Sequence, residues 1–102
     1  MSLHQVQYMV DFTMPQNIPD EFTGLIPHQR AAVNQMFNDG KLLNYTLSLE
    51  AGKLWAVFSV NDERELYQLV HRLPLTRYMK MQVCELTFYH TSLPVSTSFS
   101  MN

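Results

Sequence analysis

The order in which two hydrophobic periodicities follow each other restricts the fold of this chain more than any other feature. Apolar side chains occupy every second position, the pattern of a strand with one buried face, in four segments: 6–14, 43–49, 53–61 and 79–83. They recur at helical spacing in two segments: 22–37 and 66–73. The order of strand, helix, strand, strand, helix and strand predicts an α+β subunit of the ferredoxin-like βαββαβ type with an antiparallel sheet.

Local signals mark the ends of these segments. Asp62 followed by Glu65 resembles a capping box at the start of the second helix, with Asn61 as an alternative cap, and Pro74 ends that helix. In the last strand the apolar positions change parity near Cys84, which predicts a bulge there.

The length and composition predict a single folded domain. A chain of 102 residues supplies one core, and 46% hydrophobic against 16% charged residues is enough to fill it. We expect the domain to occupy residues 1–92. Residues 93–102 form a Ser/Thr-rich tail with a few apolar side chains, and we expect it to be either flexible or packed on a neighbouring subunit.

Charge and motif content exclude several classes of function. The net charge of −2 and the scattered seven Lys and Arg residues offer no basic surface for nucleic acid. The single Cys84 allows neither an intrachain disulfide nor a cysteine metal cluster, and no metal-ligand or cofactor motif occurs, so we expect no metal and no cofactor. No segment approaches a membrane span or a secretory signal, which predicts a cytoplasmic protein without a membrane partner.

The sheet face that the helices leave open combines polar, mostly uncharged side chains with a few apolar ones. Its residues are Gln5, Gln7, Met9, Asp11, Asn44, Thr46, Ser48, Trp55, Val57, Ser59, Lys80, Gln82 and Cys84. This mixture predicts a partly buried, hydrogen-bonding surface, such as two sheets that face each other in a homodimer and enclose a pocket. The alternative is an exposed antiparallel face with one isolated Trp.

His28 is the candidate proton carrier among the four histidines. It follows Pro27, so the first helix could restart there and leave His28 in a first turn, where the helix dipole favours the neutral imidazole. A neutral imidazole is a competent base at neutral pH, and Arg30 with the exposed amides could bind a substrate carboxylate. The alternative is a kinked helix with a solvated His28.

Three residues of the open face complete the candidate site. Asp11 could bind substrate or carry a proton, or lie in water near a strand end. Lys80 could attract a substrate anion, or only cover a sheet edge. Trp55 would exclude water from an enclosed pocket.

One motif after the second helix is similar to a segment of the muconolactone isomerase family. It reads Leu73-Pro74-Leu75, two residues, then Tyr78-Met79. The resemblance extends back to Gly40 and covers roughly residues 4–92 in element order and spacing. It is weakest in one turn of the first helix, which reads Leu25-Ile26-Pro27-His28-Gln29-Arg30 and lacks the acidic residues and lysine of typical family members.

The resemblance implies a subunit that pairs into a dimeric α+β barrel, often within larger rings. It also implies a cofactor-free enzyme that shifts a carbon–carbon double bond in a small carboxylated lactone by a proton shuttle, in aromatic-compound degradation. A related group that processes methylmuconolactone uses histidine in the first helix, so His28 is expected to replace the missing carboxylates. The alternative is a non-catalytic dimeric barrel that binds a small molecule or a protein partner.

Overall fold

The structure, a computed structural model, describes residues 5–92 and contains the predicted elements in the predicted order. They are β1 (Val6–Thr13), α1 (Asp20–Asn38), β2 (Leu42–Ser48), β3 (Lys53–Val60), α2 (Glu63–His71) and β4 (Lys80–Glu85), with a 3₁₀ turn at Thr76–Tyr78. The strand order is β2-β3-β1-β4, and all neighbouring strands are antiparallel. The predicted ferredoxin-like α+β fold is confirmed. The predicted tail, residues 93–102, lies outside the described residues.

The core lies between the sheet and the helices, as the alternation predicts. In the two central strands, β1 and β3, alternate side chains such as Val10, Phe12 and Phe58 are fully buried, while their neighbours face the open side. The helices contribute Val33 and Leu66, among others, to the same core. Burying each such side chain stabilises the fold by roughly 1.5–3 kcal/mol relative to leaving it exposed. None of the helices within residues 5–92 has both the length and the apolar character needed to cross a membrane.

Helix α1 continues through Pro27 without a restart, so the predicted break there is wrong. The helix runs from Asp20 to Asn38 with Pro27 inside it. A proline within a helix costs one hydrogen bond and about 3 kcal/mol. Here Phe22 and Val33, on opposite sides of Pro27 in sequence, are both buried, whereas Pro27 is exposed. Packing of the helix against the core on both sides of the proline therefore keeps α1 continuous.

The predicted bulge near Cys84 is also wrong, because β4 pairs with β1 regularly from Lys80 to Glu85. Leu86, where the apolar parity changes, still donates its backbone N–H to the Gln7 carbonyl oxygen at 2.7 Å. The sheet does have an irregularity, but it lies in the edge strand β2, between Leu42 and Asn44. An extra residue in an edge strand increases the local twist and interrupts the ladder there.

The start of α2 has the predicted capping arrangement, with Asp62 as the cap. The Asp62 carboxylate accepts a hydrogen bond from the Glu65 amide at 2.9 Å. In return the Glu65 carboxylate accepts one from the Asn61 amide at 2.8 Å and pairs with the Lys41 ammonium at 2.7 Å. The Asn61 hydrogen bond, followed by that of Lys41, lowers the pKa of the Glu65 carboxyl below its ordinary value of 4.5.

We expect the Glu65→Gln variant to be less stable than the wild type near pH 7, by a difference that shrinks as the pH falls below 4.5, the ordinary pKa of a Glu carboxyl. Because folding lowers the pKa of Glu65, its ionised form contributes stability above the ordinary pKa, and this contribution disappears as pH falls through the lowered pKa. Urea unfolding at about pH 7 and about pH 3 measures the difference. Glu50→Gln, in the exposed β2–β3 turn, is the control. An equal loss of stability at both pH values would contradict the assignment.

Candidate functional site

A cavity of about 610 Å³ lies between α1 and the half of the sheet that contains β2. This volume is typical of a small-molecule site. Most of its lining is apolar, and helix α1 contributes a stripe of side chains at helical spacing. The lining residues are Met14, Ile18, Phe22, Thr23, Ile26, Gln29, Arg30, Val33, Asn34, Phe37, Tyr45, Leu47, Leu49, Leu54, Leu75 and Met79. The cavity therefore suits a largely apolar ligand with a small number of polar groups.

Gln29 connects three parts of the cavity wall. Its side chain is only 4% exposed. The Gln29 Nε2 donates to the Tyr45 hydroxyl at 2.9 Å, and the Gln29 Oε1 accepts from the Leu75 amide at 3.0 Å. Since a backbone N–H can only donate, the Leu75 contact determines which end of the Gln29 amide is the oxygen. Helix α1, strand β2 and the segment before the 3₁₀ turn are thus joined by two hydrogen bonds, of which the one to Leu75 is buried and the one to Tyr45 is partly buried.

Tyr45 brings a half-buried hydroxyl to the same cavity. Burial raises the pKa of Tyr45 above its ordinary value of 10.0, and the hydrogen bond from Gln29 partly opposes this effect. The phenol is therefore protonated at neutral pH. The sequence pattern indicates a core residue at Tyr45 and does not single out Gln29. The sequence feature that could have identified Gln29 is its polar side chain at a position of the α1 stripe that is otherwise occupied by apolar residues.

Arg30, a predicted site residue, lines the cavity at its edge and is exposed. Among the described residues that line the cavity, it has the only charged side chain. A guanidinium at the edge of an apolar cavity can bind a carboxylate with two parallel hydrogen bonds. The cavity therefore has one end suited to an anion.

The structure does not place His28 beside Arg30. His28 is exposed and is not among the residues that line the cavity. Successive helix residues are rotated by about 100°, so His28 lies about 160° around the axis of α1 from Arg30. The expected proximity depended on a restart at Pro27, which the continuous helix does not have. The role of His28 as a proton carrier stays a prediction.

Asp11, Trp55 and Lys80 lie on the open face of the sheet, away from the cavity. Asp11 and Trp55 are register partners in β1 and β3, and Lys80 is exposed on β4. The Asp11 carboxylate pairs with the Lys53 ammonium at 3.2 Å, and the same ammonium donates to the Thr13 hydroxyl at 2.9 Å. The sheet therefore separates these three predicted residues from Arg30, and their roles in substrate binding also stay predictions.

The open face has its own hydrogen-bonding network. The Ser59 hydroxyl accepts from the Gln7 amide and donates to the Gln5 carbonyl oxygen, both at 3.2 Å. Val57, on the same face, is only 1% exposed. Within residues 5–92, no three Asp, Glu, His or Cys side chains come together in a way that could hold a metal ion.

A family model for muconolactone delta-isomerase matches residues 4–92. The chain belongs to this family. The match confirms the resemblance that the Leu73-Pro74-Leu75 motif indicated, and it covers all of the cavity-lining residues. No match was found among curated proteins.

Solved structures show the same fold. A crystal structure of muconolactone isomerase is 19% identical, with a TM-score of 0.70, and the alignment covers 88% of this chain and 97% of that one. MtbAldR is 15% identical with a TM-score of 0.57, over 88% of this chain and 58% of that one. An antibiotic biosynthesis monooxygenase is 13% identical with a TM-score of 0.51, over 87% of this chain and 99% of that one. At identities of 13–19%, these similarities establish a shared fold.

Proposed function

We propose that this protein catalyses the cofactor-free shift of a carbon–carbon double bond in a small carboxylated lactone, a step of aromatic-compound degradation. The observation that carries the proposal is the apolar cavity with Arg30 as the one charged residue of its described lining, in a chain of the muconolactone delta-isomerase family. An enolisable lactone acid matches this lining in having a small ring with few polar groups and a single charged group, its carboxylate. The expected cytoplasmic location goes with this proposal and stays a prediction.

The proposed reaction moves one proton and no other atom. A base removes a proton from the ring carbon that the lactone carbonyl acidifies through the double bond, and the electron pair spreads through the conjugated system onto the carbonyl oxygen. The proton then returns at the other end of the conjugated system, on the carbon next to the carbonyl, so the double bond has moved and nothing is oxidised or reduced. Arg30 holds the carboxylate, and contacts with the apolar wall keep the ring in one orientation.

The proposed proton carrier is His28, as expected from the sequence. Because His28 lies on the side of α1 away from the cavity-lining stripe, it can act only where substrate reaches that outer side, as at a boundary between subunits. A substrate held by Arg30 in the cavity lies across α1 from His28, so the proton-transfer role of His28 and the carboxylate-binding role of Arg30 are separate parts of the proposal and are tested by separate variants.

The experiment is an ultraviolet assay with muconolactone and methylmuconolactones. We expect Arg30→Ala to raise KM about tenfold, because a charged hydrogen bond to the carboxylate is lost, with a smaller change in kcat. Arg64→Ala, an exposed arginine on α2, is the matched control and should behave as the wild type. An unchanged KM in Arg30→Ala would contradict the proposed carboxylate site.

The same assay tests His28→Ala. Equal turnover by His28→Ala and the wild type would remove His28 from the mechanism. If the wild type turned over none of these lactones, the proposed activity would be contradicted, while the family membership and the fold would be unaffected.

One observation favours a second function, a non-catalytic barrel that binds a small molecule. The described residues that line the cavity include no Asp, Glu or His, the usual proton carriers. Calorimetry with lactone acids, read together with the ultraviolet assay, separates the two functions. A binding protein would give a binding signal in calorimetry, while the ultraviolet spectrum of the lactone would stay unchanged.

We also propose that the open sheet face pairs with a second copy of the chain, which would complete the dimeric barrel implied by the family. The half-buried Trp55 supports this arrangement, since a large aromatic side chain on a sheet face is poorly matched to bulk water, and the polar side chains around Ser59 could hydrogen-bond across the interface.

A further inference from the structure

We propose that Tyr45 is a hydrogen-bond donor to the lactone carbonyl oxygen of the bound substrate, and that Gln29 is the positioning residue that directs its proton into the cavity. This inference rests on the proposed function and adds to it the group that recognises the end of the substrate opposite the carboxylate.

The orientation of the Gln29 amide is the first step. The Leu75 N–H lies 3.0 Å from Gln29 Oε1, and this N–H has no acceptor capacity. Rotating the amide by half a turn would place its NH₂ group against the Leu75 N–H, donor against donor, and would leave a buried N–H without a partner. Because a buried donor without an acceptor loses its hydration and gains nothing in return, one orientation prevails.

The direction of the Tyr45 hydrogen bond follows from that orientation. The Gln29 Nε2 can only donate, so in their 2.9 Å contact the Tyr45 oxygen is the acceptor. The hydroxyl proton of Tyr45 must therefore point elsewhere, and within residues 5–92 it donates no hydrogen bond to another side chain or to the backbone. Since Tyr45 lines the cavity, its proton is available to a ligand there.

A donor in this position suits the charge that the reaction creates. Removing a proton conjugated with the lactone carbonyl places negative charge on the carbonyl oxygen, and a donor already fixed in the cavity wall stabilises this charge without reorganisation. Burial keeps the Tyr45 pKa above its ordinary value, so the phenol donates a hydrogen bond and keeps its proton. Arg30 and Tyr45 line the same cavity, and together they would hold the carboxylate and the carbonyl of one ligand.

The test uses a saturated lactone acid, the ring of muconolactone without its double bond, labelled with ¹³C at the carbonyl. This probe binds without reacting, so the result does not depend on turnover. We expect the carbonyl stretching band of the bound probe to lie at lower frequency in the wild type than in Tyr45→Phe, because only the wild type donates to it. We also expect Tyr45→Phe to bind the probe about two- to tenfold more weakly.

Tyr67→Phe is the matched control, since Tyr67 lies on α2, is exposed and does not line this cavity. It should reproduce the wild-type band and affinity. Tyr45→Phe removes one oxygen and keeps the ring, so it should stay folded.

Gln29→Glu tests the positioning role. Once the pH is raised above the pKa of the introduced carboxyl, which burial shifts upwards, the carboxylate accepts from both the Leu75 N–H and the Tyr45 hydroxyl, which turns the Tyr45 proton away from the cavity while the side-chain shape is kept. The band should therefore move to its position in Tyr45→Phe, although Tyr45 is still present. A purely structural role of Gln29 would not produce this spectrum.

The outcomes separate this inference from the proposed function. Tight binding of the probe with the same band in the wild type and Tyr45→Phe would overturn the inference and leave the proposed substrate class standing. A wild-type band in Gln29→Glu would overturn the positioning role. No binding of the probe by the wild type would overturn both the substrate class and the inference that rests on it.

Discussion

Replacing Phe58 with Ala is expected to lower the free energy of unfolding by about 3–5 kcal/mol. Phe58 is fully buried in the central strand β3, where its register partners are Tyr8 of β1 and Leu42 of β2. Truncation removes a whole ring from the core and leaves a cavity that the sheet cannot close. Since domains of this size are stable by only about 5–15 kcal/mol, the variant should lose a large fraction of its stability.

Guanidinium unfolding followed by circular dichroism measures this loss. The matched control is Phe88→Ala, because Phe88 is 75% exposed beyond the end of β4. We expect this control to change the free energy of unfolding by less than about 0.5 kcal/mol. Similar losses in the two variants would mean that the core does not lie where the alternation places it.

Replacing Trp55 with Lys is expected to convert the proposed dimer into monomers. A buried Trp at an interface contributes about 2 kcal/mol or more, and a two-fold dimer loses this twice, so the dissociation constant should rise by about a thousandfold or more. In the monomer the new Lys would lie opposite Asp11, its register partner in β1, where opposite charges are favourable. The substitution therefore weakens pairing while leaving the subunit folded.

Sedimentation equilibrium at micromolar concentration is the measurement. Tyr67→Lys makes the same kind of change at an exposed aromatic residue of α2, away from the sheet, and should leave the association state unchanged. A wild-type protein that sediments as a monomer would contradict the proposed pairing of sheets. Retention of the dimer in Trp55→Lys would place the interface on another surface.

The fold was predictable because its signals are local. Alternation in β1 and β3 identified the buried side chains, such as Phe12 and Phe58, and the spacing of Asp62 and Glu65 identified the start of α2. The continuity of α1 was not predictable in the same way. The local effect of Pro27 favours a break, and only the packing of side chains on both sides of it, which depends on the rest of the fold, holds the helix together.

The candidate site was predictable in part for the same reason. The position of Arg30 in the first helix made it a candidate, and the structure shows that it lines the cavity. The connection of Gln29 to Leu75 joins residues 46 positions apart, and no local pattern indicates such a contact. The alternation assigns Asp11 and Trp55 to the open face, and the structure places the whole thickness of the sheet between them and Arg30.

The hydrogen bond from the Leu75 amide to Gln29 gives the Leu73-Pro74-Leu75 motif a chemical consequence as well as a diagnostic one. Leu75 lines the cavity, and its backbone N–H determines which end of the Gln29 amide faces Tyr45. A family member could therefore keep every cavity side chain and still reverse the polarity of the Tyr45 hydrogen bond, if the connection before β4 carried the Leu75 amide out of reach. In such a protein, loop length would control the chemistry of the ligand site.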